Sequence, residues 1–209
     1  MSALRKVARY FRNRTFSVSE VCAIAGLSTT QVNNAIAELA PLGIVCAGNG
    51  ARSVEYRGLF AIRLVNDMAG WKLSMPLRKA VISAALQSKK ASIDVPGLPL
   101  AVRVDAYRKE ASSGLDKLYQ AEELVSSTPA IMQGEPCIRG TRTPAHEVAG
   151  VARSSGMEEA LLAYPHLDKT QIELACVYAS AYPRRGRPKT VKDHLPDKIA
   201  RRTRTVVVD

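Results

Sequence analysis

The sequence contains no C-x-x-C pair. Cys22, Cys46, Cys137 and Cys176 are far apart, and only three histidines accompany them. A zinc site needs closely spaced ligand pairs, so no metal is expected. The cysteines have apolar neighbours (Val21, Val45, Ile138, Val177) and read as small core residues. No apolar run approaches the ~20 residues of a membrane helix. The basic start, Met1 to Lys6, is not followed by the apolar stretch of a signal peptide. A cytoplasmic protein without membrane contact is expected. A nucleophile with a partnered base is missing too. Arg139, Thr141, Arg142, His146 and Glu147 can be assembled on paper into an acid–base or phosphate site. Glu147 beside Arg142 is more simply a salt bridge, so neither catalysis nor a cofactor is expected.

What the sequence does have is positive charge, unevenly placed. The 209 residues carry a formal net charge of +11. Residues 1–60 hold seven Lys/Arg against three Asp/Glu, and residues 61–109 hold nine against three. Residues 110–180 reverse the sign, with five against ten, and residues 181–209 return to nine against three. A polyanion would meet the N-terminal half and the tail, not the acidic block. The length suits one large domain or two small ones.

Ser17-Val-Ser-Glu20 is a capping box. It opens a helix that carries Val21, Ile24 and Ala25 on one face and stops at Gly26. Ser28-Thr-Thr-Gln31 opens a second helix, with Val32, Ala35, Ile36 and Leu39 at helical spacing. Two short helices joined by Gly-Leu-Ser form a helix-turn-helix. Thr29, Thr30, Gln31, Asn33 and Asn34 fall on the second helix's outer face, where amides and hydroxyls suit base edges in the major groove. A solvated polar face would look the same. Gly43 to Tyr56 then reads as a β-hairpin with a glycine-rich turn, a wing in which Arg52 meets phosphate. Residues 57–68 form a third helical run. This order is similar to the winged DNA-binding domain of MerR-type regulators.

Residues 76–86 form another amphipathic helical run. Residues 92–95 and 98–104 read as short strands around a Pro96-Gly97 turn, and Asp105 is expected to cap a helix reaching Leu124. Gly134, Pro136, Gly140 and Pro144 impose a tightly turned, extended loop. Its arginines, Arg139 and Arg142, are expected to bond the turn's carbonyls beside Thr141. Three helices follow, at 145–154, 157–163 and 169–181, the last capped by Asp168 with Gln171 three residues on. The acidic charge of this block argues against phosphate contact and for a helical protein-interaction unit that dimerises the chain.

Four motifs stand in order between residues 122 and 189. They are G-x-P-C-I-R-G-T-R-x-P at 134–144, Y-P-x-L at 164–167, E-L-A-x-x-Y-A at 173–179 and R-G-R-P at 185–188. Together they resemble a family of bacterial antitoxins (VapB-like) encoded beside PIN-like toxins. The resemblance implies an antitoxin that neutralises a PIN-like ribonuclease by direct binding and represses its own operon. The toxin's acidic metal-binding site would accept an arginine from the tail, among Arg184, Arg185, Arg187, Arg201, Arg202 and Arg204. Arg185-Gly186-Arg187-Pro188 also matches the core of an AT-hook, which lays arginines into an A·T minor groove, and a solvated basic tail is the third possibility. Val206-Val-Val208 would be costly to leave exposed and could extend a partner's sheet edge.

The expected protein is mostly α with minor β. It has a winged helix over 1–75, a connector over 76–121, a loop-and-trihelix antitoxin and dimerisation domain over 122–183, and a basic tail over 184–209. Its partners would be a PIN-like toxin, operator DNA and a second copy of itself. The alternatives are a free-standing transcription regulator without a toxin, or an adaptor that has lost DNA binding.

Overall fold

Ser17 and Glu20 form the capping box that starts the helix-turn-helix. The Ser17 hydroxyl accepts from the Glu20 amide, and the Glu20 carboxylate accepts from the Ser17 amide at 2.8 Å. The structure, a computed structural model, describes residues 7, 10–48, 51–71 and 73–184. Strand β1 (Thr15–Ser17) leads into α1 (Val18–Ala25), which ends at Gly26 in the left-handed conformation, φ 64°. Ser28 and Gln31 repeat the box and open α2 (Thr29–Leu39). Strands β2 (Val45–Gly48) and β3 (Ala51–Glu55) form the expected hairpin, and β1 pairs on the other side of β3. The sheet order β1-β3-β2 ties the hairpin to the entrance of α1. That third strand was not expected, because Thr15–Ser17 is too short to show a period.

Helices α3 (Leu59–Met68) and α4 (Met75–Gln87) follow, then the two-stranded sheet β4 (Ser92–Asp94) and β5 (Ala101–Arg103). The long helix α5 spans Val104–Leu124. Its N-cap is Arg103, and Asp105 lies inside the first turn, paired with Arg103 and Lys109. The expected Asp105 cap is thus corrected. β5 runs straight into the helix, leaving no free residue before Asp105 to begin it. A second antiparallel pair, β6 (Val125–Ser126) and β7 (Cys137–Ile138), precedes α6 (Ala145–Ser155), α7 (Met157–Ala163) and α8 (Lys169–Ala181). The protein is mostly α with minor β.

One hydrophobic core runs from Val7, Phe11 and Phe16 through α1, α2 and α3. It continues into Val81, Ile82, Ala85, Ile93, Val95, Val102 and Val104, and ends on Leu115 and Leu118 of α5. Residues 76–121, read as a connector, bury these side chains in the same core as the helix-turn-helix. A second core gathers Val125, Ile138, Val148, Ala160, Leu167, Ile172 and Ala175. Helix α8 serves both, since Ile172 and Ala175 lie in the second core and Ala181 in the first. The cysteines divide: Cys137 is buried, Cys22 and Cys176 are half-buried, and Cys46 is exposed. Cys46 lies on β2 at the outer edge of its sheet, so an apolar neighbour in sequence does not make it a core residue.

Candidate nucleic-acid interface

The buried stripe of α2, Val32, Ala35, Ile36 and Leu39, leaves the opposite face to solvent. Thr29, Thr30, Gln31 and Asn34 are exposed there and Asn33 is half-buried. Gln31 is already committed. Its Oε1 accepts from the Ser28 amide at 2.9 Å and from the Ser28 hydroxyl at 2.8 Å. A bidentate bond to adenine needs that same oxygen, so the capping box and base reading compete for Gln31. Thr29 Oγ1 lies 3.9 Å from the Cys22 thiol. Thr30 and Asn34 form no side-chain hydrogen bond among the described residues, and at i and i+4 they share one face.

Arg52 stands on β3 opposite Ala47 and donates to Asn33 Oδ1 at 3.4 Å. The hairpin and the helix are thereby joined through two of the residues singled out for DNA contact. The rear of α2 is anchored by a further pair. Arg78 of α4 meets Glu38 at 2.6 Å, with side-chain exposures of 15% and 10%. Arg63 of α3 donates to the Ala25 carbonyl at 3.0 Å, satisfying the end of α1.

The loop before α6 is closed by threonine, not arginine. The Ile138 carbonyl accepts from the Thr141 amide at 3.0 Å and from the Thr141 hydroxyl at 2.8 Å. The Thr143 amide donates back to that hydroxyl at 3.0 Å. Gly140 takes φ 79°, and Gly134 takes φ 85° directly after Met132 and Gln133 at φ 46° and 57°. The Ala145 amide reaches the Pro136 carbonyl at 2.9 Å, locking the loop onto α6. Arg139 and Arg142 are exposed, and among the described residues neither side chain forms a hydrogen bond or ion pair. The expected bonding of turn carbonyls by arginine, and the Arg142–Glu147 salt bridge, are therefore absent. A hydroxyl three residues on reaches the Ile138 carbonyl without ordering a long side chain. His146 is half-buried beside Tyr178. Burial, then Arg184, holds its pKa below the ordinary histidine value.

Sequence reasoning missed a polar cluster where the two cores meet. Arg14 donates to Glu122 at 2.9 Å, to the Tyr182 hydroxyl at 2.8 Å and to Glu20. Tyr182 in turn bonds Glu122, with Glu20 at 3.1 Å. Burial and then the Glu122 hydrogen bond push the Tyr182 phenol well above its usual range. Glu20, which caps α1 through one oxygen, thus uses its other oxygen to hold the end of α8. The Glu20 capping box was visible in sequence, but nothing local pointed to its partner Tyr182, 162 residues away. Gly114 was equally silent. A Cβ there would stand 2.2 Å from the Ile24 carbonyl oxygen, so α1 and α5 touch backbone to backbone. Of the tail residues, Arg184 pairs with Glu135. Arg185, Arg187, Arg201, Arg202, Arg204 and Val206–Val208 lie outside the described residues.

Among the described residues no cluster of His, Cys, Asp and Glu could hold a metal ion, and no helix is long and apolar enough to cross a membrane. Residues 125–179, from β6 into α8, match a family described as a protein of unknown function, DUF433. An uncharacterised protein of Sinorhizobium fredii (strain NBRC 101917 / NGR234), y4eO, is 40% identical over 115 residues. That stretch is 51% of this chain and 52% of the relative, so the chain spans about half the length of the curated protein it matches. No solved structure matches. The family likeness is therefore to one domain, the loop and helices of residues 125–179.

Proposed function

We propose that this protein is the antitoxin of a type II toxin–antitoxin pair. It binds its operator through α2 and the hairpin, and a PIN-like ribonuclease through its C-terminal domain and basic tail. The observation that carries the DNA half is the face shared by Thr30, Asn34 and the Asn33–Arg52 pair. It offers the uncommitted Thr30 hydroxyl and Asn34 amide for bases, beside Arg52, held by Asn33, as a cation for phosphate. Operator recognition by such a helix works as a dimer, so the protein acts as a cytoplasmic homodimer. The motifs of residues 134–188 and their resemblance to VapB-like antitoxins support the toxin half.

Both halves can be tested. The protein should bind its own promoter with an affinity that falls steeply as salt rises. Asn33→Ala with Asn34→Ala should reduce sequence discrimination more than non-specific binding. An unchanged footprint from that double variant would remove α2 from the reading role. Truncation after Tyr182 should leave promoter binding in place while abolishing protection of cells from the PIN-like protein of the adjoining reading frame. A close charge pair across such an interface contributes about 1.5–7 kcal/mol. The stand-alone regulator is the second reading, favoured by the ion pair that keeps Arg184 on Glu135 within the chain. If the truncated protein still neutralises the toxin but loses promoter affinity, Arg185-Gly186-Arg187-Pro188 acts as an AT-hook.

A further inference from the structure

A cleft of about 510 Å³ separates the turn of the helix-turn-helix from α8. Gly26, Ser28 and Thr29 line one wall, and Arg153, Ser180 and Pro183 line the other. Arg153 comes from α6, within the block whose net charge is negative. Its Nη2 donates to Ser180 Oγ at 2.9 Å and to the Cys176 carbonyl at 3.3 Å. These bonds fix the guanidinium over the end of α8. Among the described residues no carboxylate lines the cleft or pairs with Arg153. The Ser180 hydroxyl donates to the Cys176 carbonyl at 2.8 Å and the Ser28 hydroxyl to Gln31 Oε1 at 2.8 Å. The cleft therefore combines one anchored cation with the Thr29 hydroxyl, which accepts from the Cys22 thiol and keeps its own proton to donate, at the start of the proposed reading helix.

We infer that this cleft seats the DNA backbone flanking the half-site read by α2, with Arg153 as a phosphate contact supplied by the C-terminal domain. The inference rests on the DNA-binding reading above and extends it. Arginine and hydroxyl groups are the usual phosphate partners, and a duplex engaged by the start of α2 brings its backbone past this opening. The chain also leaves the cleft at Pro183, two residues before Arg185-Gly186-Arg187-Pro188 begins. Operator affinity then draws on both domains, with Arg153 a local exception to the negative net charge of residues 110–180.

The test uses the full chain, its own promoter duplex and an unrelated duplex of equal length, titrated between about 50 and 200 mM salt. Arg153→Gln should weaken binding to both duplexes by a similar factor. It should also flatten the dependence of log K on log salt by about one. Arg153→Lys should keep the wild-type slope. Ser180→Glu adds a carboxylate beside Arg153 at an exposed helical position, so it guards against misfolding of the first variant, and it should also weaken binding with a flatter slope. Wild-type slopes in both Arg153→Gln and Ser180→Glu would overturn this inference and leave operator binding by α2 standing. Loss of promoter affinity in Arg153→Gln with no change of slope would make Arg153 a packing residue and also overturn it. If the wild-type protein does not bind its promoter, the DNA-binding reading fails and this inference falls with it.

Discussion

The Tyr182 hydroxyl stands between two carboxylates and a guanidinium drawn from two distant parts of the chain, Arg14 with Glu20 and Glu122. Burial and the Glu122 bond keep the phenol protonated, so it acts as a donor throughout the accessible pH range. Replacing it with Phe removes the hydroxyl's bonds to Glu122, Glu20 and Arg14 and leaves the two carboxylates facing each other with Arg14 alone. Hydrogen bonds to charged groups contribute about 1.5–3 kcal/mol. Tyr182→Phe is therefore expected to lower stability by that amount in urea titration, and an unchanged midpoint would show that the cluster is not holding α8. His146 gives a pH signature. Its folded pKa is depressed by burial and Arg184, so the unfolded chain takes up its proton first. Its contribution to stability is present above the ordinary histidine pKa of about 6.5 and is lost as pH falls below it. His146→Gln should flatten the fall in melting temperature between about pH 7.5 and 5.5. An equal fall in both proteins would assign the effect to other groups.

At the scale of elements, the contact of α1 with α5 governs how the helix-turn-helix is held. Gly114 allows it, because its missing Cβ would fall 2.2 Å from the Ile24 carbonyl oxygen. Backbone cannot yield as a flexible side chain can, so Gly114→Ala should cost about 1–3 kcal/mol or more, although Ala is the better helix former. Unfolding titrations showing a more stable Gly114→Ala protein would mean that α1 and α5 do not meet closely. The back of α2 depends on Glu38 and Arg78. Breaking a buried pair from one side costs about 3–5 kcal/mol. Arg78→Ala is expected near that range because Glu38, with a side-chain exposure of 10%, would be left unpaired. A loss below about 1 kcal/mol would show that the pair behaves as a surface salt bridge.

For the whole molecule, the first core decides what folds with what. Val81, Ile82, Ala85, Ile93 and Val102 pack with Phe16, Ile36 and Ile62 in one cluster. A fragment ending at residue 75 would expose the surfaces these side chains cover, so fragment 1–75 is expected to show no cooperative melt in calorimetry. A sharp transition would establish the helix-turn-helix and hairpin as an independent domain. Because α8 contributes to both cores, the full chain should melt in a single transition. Sedimentation of the full chain at micromolar concentration should give the mass of two chains, and a monomer would remove the dimer from the proposed operator complex.

Features that depend on residues three or four apart were readable from the sequence. The three capping boxes at Ser17, Ser28 and Asp168, the left-handed stop at Gly26 and the helices over 157–163 and 169–181 all stand as read. A cap is made by a side chain reaching its own helix's first amides, so the local pattern contains the whole interaction. Joining the segments into one body was left to the tertiary structure. Arg14 and Glu122 are 108 residues apart, and Gly114 has meaning only against Ile24. The commitment of Gln31 to its cap, by contrast, was local and could have been read from the same box that revealed the helix. Thr141 replaced arginine in the loop because a short hydroxyl already in reach orders fewer bonds than a long side chain. The sequence determined the capped helices and their ends, whose partners lie within one turn, but not strand β1 or the start of α5. Which faces meet, and so which polar residues remain free for a ligand, depended on contacts between distant segments that no local pattern records.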